Sequence, residues 1–306
     1  MAIWGRRFAL RNMTHMQTVV PNIWCNSNAL EVAEHYATIF PNTEITNVVR
    51  YPTEGLLDFQ QPMAGQPLTV DVEIQGYQLT LINADDTFRP NPSISFMVTS
   101  ANKQLTQALW DGLHEGGRVL MDLGEYPFNP FYGWVEDKFG VSWQLMTSPD
   151  AETYIYPSLM FCGRAQNRAH EAIQRYVEVI DGSAIKQVVT YADFGHALGG
   201  VITKDSVVFS TFTLAGQKFG AMDSAVPQDF DFDCGLALLV NAHGQEQLDR
   251  YWNALSAVPE AERCGWLRDE FGLAWEIVPD NLDELMSRPG AYEKLMSMGK
   301  IIIADF

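Results

Sequence analysis

Residues 132–144 read YGWVEDKFGVSWQ, and residues 264–276 read CGWLRDEFGLAWE. The Gly-Trp pair, the Asp, the Phe-Gly pair and the last Trp coincide, with Val135 standing against Leu267. Outward from these stretches the matches keep their order. Val48-Val49-Arg50-Tyr51 corresponds to Val188-Val189-Thr190-Tyr191, Tyr36 to Tyr176, Gly76 to Gly216 and Trp110 to Trp252. An ordered series whose offset shifts only at loops marks a duplicated domain rather than chance likeness.

Each copy has the same grammar. In the first, VVPNIWCN is a strand and NALEVAEHYATIF an amphipathic helix. TEITNVVRY and LTVDVEIQGYQLTLINA follow, the latter a hairpin turning at Gly76. SISFMVTS is a strand, NKQLTQALWDGLHEGG a helix closed by glycines, and FYGWVEDKFGVSWQLM the final hairpin. The second copy repeats this from YPSLMFCG through RAHEAIQRYVEVI, VVFSTFTLAGQKFGAMD, CGLALLV and QEQLDRYWNAL. The copies span 17–148 and 154–280, joined by SPDAET, with 281–306 a C-terminal helical tail. The fold class is therefore α+β. Each copy is expected to pair two βαβββ units, neither able to close a core alone, around a cavity of its own.

Charge and composition narrow the partners. Twenty Lys+Arg against 38 Asp+Glu give a net charge of −18, which disfavours nucleic acid and anionic membranes as partners. With 47% hydrophobic residues the chain can fill sizeable cores. It shows no run of the roughly 18 apolar residues that a membrane span needs. The opening MAIWGRRFALRNMTHMQ lacks a secretory pattern and is expected to be a disordered extension over 1–16, with Met13 or Met16 as alternative starts. The four cysteines are scattered without a CxxC pair, so reduced thiols in the cytoplasm are expected.

The early strand with Pro21 and Asn28-Ala29, the helix ending in Tyr36…Phe40-Pro41-Asn42, the Gly216-Gln217 hairpin and the Gly-Trp…Asp-x-Phe-Gly…Trp close together resemble the PhnB-like family. That family lies in the vicinal oxygen chelate (glyoxalase/bleomycin-resistance/dioxygenase) superfamily, and its members are often labelled 3-demethylubiquinone-9 3-methyltransferase. The resemblance covers nearly all of 17–306. It implies tandem glyoxalase-like domains and, in enzymes of the superfamily, a divalent metal held by His and Glu on inner strands. The methyltransferase label finds no support in the residues, since no G-x-G-x-G run and no alternating doubly wound order is present.

On the strands the resemblance singles out, the first copy offers Asn22, Trp24, Asn83 and Gln144, and the second Ser158, Met160, Asp223 and Glu276. Cavity residues are expected at Trp24, Glu73, Asn83, Trp134 and Gln144 in one copy and at Met160, Thr213, Asp223, Trp266 and Glu276 in the other. No histidine falls on these strands. Asp223 and Glu276 are the only candidates for a divalent metal, so no cofactor is expected. His35, His114, His170 and His243 fall by helices and His15 and His196 in loops, in surface or capping roles. Cys264, beside Arg263 and Trp266, is read as a buried thiol rather than a nucleophile. Asp137 and Asp269 are read as turn residues. The expected function is a small-molecule enzyme or binding protein, the alternative a non-catalytic sequestering protein of bleomycin-resistance type. The copies are expected to pack as an internal pseudo-dimer, with further homodimerisation open.

Overall fold

The computed structural model describes residues 17–149, 154–194 and 200–306. The expected extension 1–16, His15, His196 and residues 150–153 of the linker lie outside these.

Four consecutive units build the fold. The first runs β1 (Val19–Asn26), α1 (Ala29–Ile39), β2 (Thr43–Arg50), β3 (Pro67–Ile74) and β4 (Tyr77–Ala84). The second is β5 (Ile94–Ser100), α2 (Lys103–His114), β6 (Arg118–Tyr126), β7 (Asn129–Glu136) and β8 (Ser142–Thr147). The third is β9 (Tyr154–Phe161), α3 (Ala169–Val179), β10 (Ala184–Thr190), the short α4 (Tyr191–Phe194), β11 (Val207–Leu214) and β12 (Gln217–Asp223). The fourth has β13 (Leu236–Ala242), α5 (Gly244–Leu255), β14 (Trp266–Arg268) and β15 (Ala274–Pro279), followed by α6 (Leu282–Met286) and α7 (Ala291–Ser297). Strand β6 was not foreseen. Its counterpart position in the fourth unit holds a 3-10 turn beginning at Pro259, whose missing N–H cannot serve a ladder.

The strands form two mixed sheets, ordered β14-β15-β13-β1-β4-β3-β2 and β10-β11-β12-β9-β5-β8-β7-β6. This is the expected α+β glyoxalase-like architecture of paired units, with one difference in which units pair. Each sheet joins one unit from each copy. Antiparallel β1–β13 pairing (Val19 with Val240, Asn22 with Ala237) unites the first and fourth units. Antiparallel β5–β9 pairing (Ser95 with Ser158) unites the second and third. The two copies are thus an internal pseudo-dimer with shared sheets.

The reason lies in how the two units of one copy meet. Helices α1 and α2 touch each other while packing on different sheets, as do α3 and α5. Between them, Tyr36 and Phe40 from α1 and its end pack edge-on or tilted against Trp143, at centroid distances of 5.3 and 5.0 Å, and Phe96 adds 5.1 Å. Tyr176, Phe271 and Trp275 repeat this in the second copy. The apolar face of each unit is therefore spent within its copy. The edges of β1 and β5, with unpaired backbone groups, find partners in the other copy.

The stretches that revealed the duplication are the latches of this arrangement. Asp137 is buried and accepts four hydrogen bonds: Phe139 N–H (2.8 Å), Val141 N–H (3.0 Å), Trp143 Nε1 (2.9 Å) and the Tyr36 hydroxyl (2.8 Å). Asp269 repeats the set with Phe271, Leu273, Trp275 and Tyr176. Gly140 and Gly272 close these turns at φ of 88° and 90°, which explains the repeated Phe-Gly. The turn role expected for both aspartates is real, and each also ties a helix on one sheet to a hairpin of the other.

Candidate functional site on the seven-stranded sheet

Strand alternation sorts the seven-stranded sheet into two faces. Ile23, Val72, Leu79, Leu81, Leu238 and Ile277 are buried toward α1 and α5. The opposite, inner face carries Asn22 and, in line with it across the ladder, Thr80 and Asp71. On its other side comes Ala237 and, one step along the ladder beside Leu239, Glu276, which lies opposite Trp266. Asn22 and Glu276 meet diagonally across β13, and Asn22 Nδ2 donates to Glu276 Oε2 at 2.7 Å. Thr80 Oγ1 donates to Asp71 Oδ1 at 2.7 Å. Trp24 closes one end, edge-on to Phe88 at 5.2 Å and to Trp266 at 6.4 Å.

Two features give this face chemical potential. Burial pushes the Glu276 carboxyl up to about 7, against hydrogen bonds from Asn22 and Trp266 that favour its ionised form. Asn22 Oδ1 is buried without a hydrogen-bond partner among the described residues, although Asn22 is only 2% exposed. An unsatisfied buried acceptor costs on the order of 1–3 kcal/mol, and a ligand donor would relieve it.

The eight-stranded sheet presents the counterpart face with its polar groups already paired. Gln144 Oε1 accepts the Tyr132 hydroxyl at 2.7 Å, and the Ser142 hydroxyl takes Trp134 Nε1 at 2.7 Å and meets Ser95 Oγ at 2.9 Å. Ser158 and Gly220 stand where Asn22 and Thr80 stand in the other sheet. No carboxylate takes the place of Glu276.

The expected cavity residues are therefore regrouped by the exchange of units. Trp24, Glu73, Asn83, Trp266 and Glu276 belong to the seven-stranded sheet, and Trp134, Gln144, Met160, Thr213 and Asp223 to the other. Two are corrected. Asn83 accepts Ala29 N–H at 3.0 Å and donates to Pro67 O, and Asp223 accepts the N–H groups of Ala169 (3.1 Å) and Val207 (2.7 Å). Both sit on the helix side, capping α1 and α3, because they share the alternation of the core leucines rather than that of Thr80. Glu73 has the alternation of Asp71, and Thr213 receives Ala184 N–H at 3.1 Å. Asn22 is offered by its strand but stands outside the expected cavity set, and Asp71 and Thr80 are not singled out in the sequence. The alternation through the buried Val70, Val72, Leu79 and Leu81 was the signal that would have found the last two.

Other candidates have ordinary placements. His114 stacks on Trp110 and His243 pairs with Asp280 at 2.8 Å, while His170 is exposed and His35 packs against Phe139. Burial raises the Cys264 thiol, whose sulfur lies 3.7 Å from Met296 Sδ.

A divalent metal of the kind the resemblance implies needs several convergent His or carboxylate donors. Among the described residues no three His, Cys, Asp or Glu side chains converge. Glu276 is joined by an amide and, across Asn22, by a hydroxyl already committed to Asp71. Asp223, its expected partner, lies in the other sheet. These residues do not assemble a complete divalent-metal centre.

Comparison with known proteins bears on the fold and the family. Among solved structures, glyoxalase I from Zea mays is similar over 87% of this chain and 95% of its own, with a TM-score of 0.51 at 11% identity, a likeness of fold alone. A putative dioxygenase from Bacillus subtilis covers 92% of this chain and 89% of its own, at 12% identity and a TM-score of 0.47. A Bacillus cereus protein described as a putative 3-demethylubiquinone-9 3-methyltransferase, PhnB protein, is 27% identical over 43% of this chain and all of its own, with a TM-score of 0.39. No curated protein matches. Residues 17–146 and 153–278 each match the 3-demethylubiquinone-9 3-methyltransferase family, and the chain belongs to that family as a tandem duplication.

Proposed function

We propose that this protein binds a small oxygen-bearing molecule on the inner face of the seven-stranded sheet, and that the chemistry available there is proton transfer by Glu276. The observation that carries the reading is the Asn22–Glu276 pair: a carboxyl held near pH 7 beside a buried amide oxygen that lacks a donor. A hydroxyl or N–H of the ligand would satisfy Asn22 Oδ1, leaving the carboxyl to accept or return a proton. A group with its pKa near the working pH is well placed for that task. Trp24, Phe88 and Trp266 supply ring edges of the kind that border small-molecule sites. The satisfied network of Tyr132, Gln144, Trp134 and Ser142 supports a structural role for the other inner face. A cytoplasmic setting fits the four free thiols. Methyl transfer forms no part of this reading, because neither sheet is the doubly wound parallel sheet that carries a Gly-rich donor loop.

Sequestration without turnover is the second reading, favoured by the hydrogen bond that already engages Glu276. A thermal-shift screen of small hydroxy- and oxo-compounds, repeated at pH 6 and pH 8, separates the possibilities. Hits are expected to change affinity with pH in the native chain and to lose that dependence in Glu276→Gln. Turnover of a hit that vanishes in the variant marks an enzyme, and binding without turnover marks sequestration. Hits equally pH-independent in both proteins would contradict the assignment of the site.

A further inference from the structure

The two copies differ at a notch beside their latches. In the first copy, the end of β1, the start of α1 and the Asp137 turn enclose a cleft of about 450 Å³. That size lies within the roughly 300–1,000 Å³ typical of small-molecule pockets. Its walls present the rings of Trp24, Phe88 and Phe139 and the cationic side chains of Arg89, Arg118 and Lys138. Arg118 is paired with Glu136 at 3.0 Å, while Arg89 and Lys138 enter no ion pair among the described residues. Asp137, at the floor, has its oxygens engaged by four donors.

The second copy shows what the same notch takes. Arg168, the counterpart of Asn28 before the helix, lies 4.3 Å over the Phe271 ring and bonds Glu270 at 2.9 Å. Arg164, on a loop longer than that of the first copy, packs over Gly272, the counterpart of Gly140. The second notch is thus filled by planar cations of its own chain, with a ring beneath and a carboxylate at the rim. In the first copy Phe139 keeps the ring, Lys138 replaces Glu270, and Asn28 is too short to reach across. At one rim position an ammonium, 5.0 Å over the Phe139 ring, takes the place of a carboxylate, and the planar filler is gone. In a chain of net charge −18, such a rim of cations is a local attractor for anions.

We propose that the first-copy notch is a binding site for a small aromatic carboxylate, its ring against Phe139, Phe88 and Trp24 and its carboxylate toward Arg89 and Lys138. Stacking on the rings and charge-assisted hydrogen bonds from the cations are the two recognition elements. The proposal does not rest on the Glu276 face, with which it shares Trp24 and Phe88.

The test is titration of the full chain with 2-naphthoate, followed by ligand fluorescence, with neutral 2-naphthamide as comparator. One saturable site per chain is expected, with the amide weaker by about tenfold or more, the loss of a charge-assisted contact. The double variant N28R/K138E rebuilds the second copy's filling, with Glu31 standing where Glu171 supports Arg168. It is expected to keep its melting temperature and to lose naphthoate binding by about tenfold or more. Arg89→Glu, at an exposed side chain, provides the same readout if the double variant fails to fold. Absence of saturable naphthoate binding, equal binding of the amide, or undiminished binding in the charge variants overturns the proposal. So does binding that is lost on Glu276→Gln, which would move the ligand to the inner face of the sheet.

Discussion

Burial holds the Glu276 carboxyl at about 7, whereas its unperturbed counterpart ionises near 4.5. Below 4.5 folded and unfolded chains both carry the proton. Between 4.5 and 7 only the folded state keeps it, so the contribution of this residue to stability falls as pH rises and is level above 7. Glu276→Gln retains the bond from Asn22 and removes the ionisation penalty. The variant is expected to match the native chain at pH 4 and to exceed it by about 3 kcal/mol at pH 8, at roughly 1.36 kcal/mol per pKa unit, measured by urea denaturation. Substitution at the latch aspartates has the opposite effect, although burial raises their carboxyls too. Asp137→Ala or Asp269→Ala leaves a tyrosine hydroxyl, an indole N–H and two backbone N–H groups without their acceptor. Each is expected to cost about 3 kcal/mol or more, read as a lowered urea midpoint. These were the most legible residues in the chain, because the duplication printed them twice. Their partners were not, since Tyr36 and Tyr176 lie 101 and 93 positions away and nothing local connects them.

At the scale of the element, helices and strands were readable wherever apolar residues kept a clean period. Strands β3 and β4 alternate plainly, yet the polarity of Asn83 points to the cavity side. Its alternation with Leu79 and Leu81 instead places it under α1. Asp223 misleads in the same way at the start of α3. Both side chains satisfy helix N-terminal donors that the residues before α1 and α3 leave without a side-chain cap. Asn83→Ala and Asp223→Ala are therefore expected to lower stability by about 1–2 kcal/mol each, the usual worth of a cap. Neither should alter ligand binding or the pH dependence set by Glu276. Calorimetry combined with ligand titration distinguishes this from the loss of binding that a cavity residue would give.

At the scale of the whole molecule, the duplication together with the family resemblance implies a tandem glyoxalase-like fold but not which units share a sheet. Local periodicity describes a strand's two faces and is silent about its neighbour. Pairing β1 with β5 inside one copy or with β13 in the other would bury similar side chains. The choice is made by the aromatic latches, which turn the two units of a copy helix-side to helix-side and leave β1 and β5 open at their edges. This exchange brings Asn22 and Glu276 together across 254 positions of sequence. Paired cysteines test it most directly, in a chain freed of its native cysteines and oxidised mildly. Val20 lies opposite Leu239 in the shared sheet, whereas Met97, at the equivalent place on β5, pairs with Tyr156 instead. The pair V20C/L239C is expected to cross-link nearly completely and V20C/M97C hardly at all; efficient closure of V20C/M97C with failure of V20C/L239C would mean that each copy builds its own sheet and that Asn22 and Glu276 never meet.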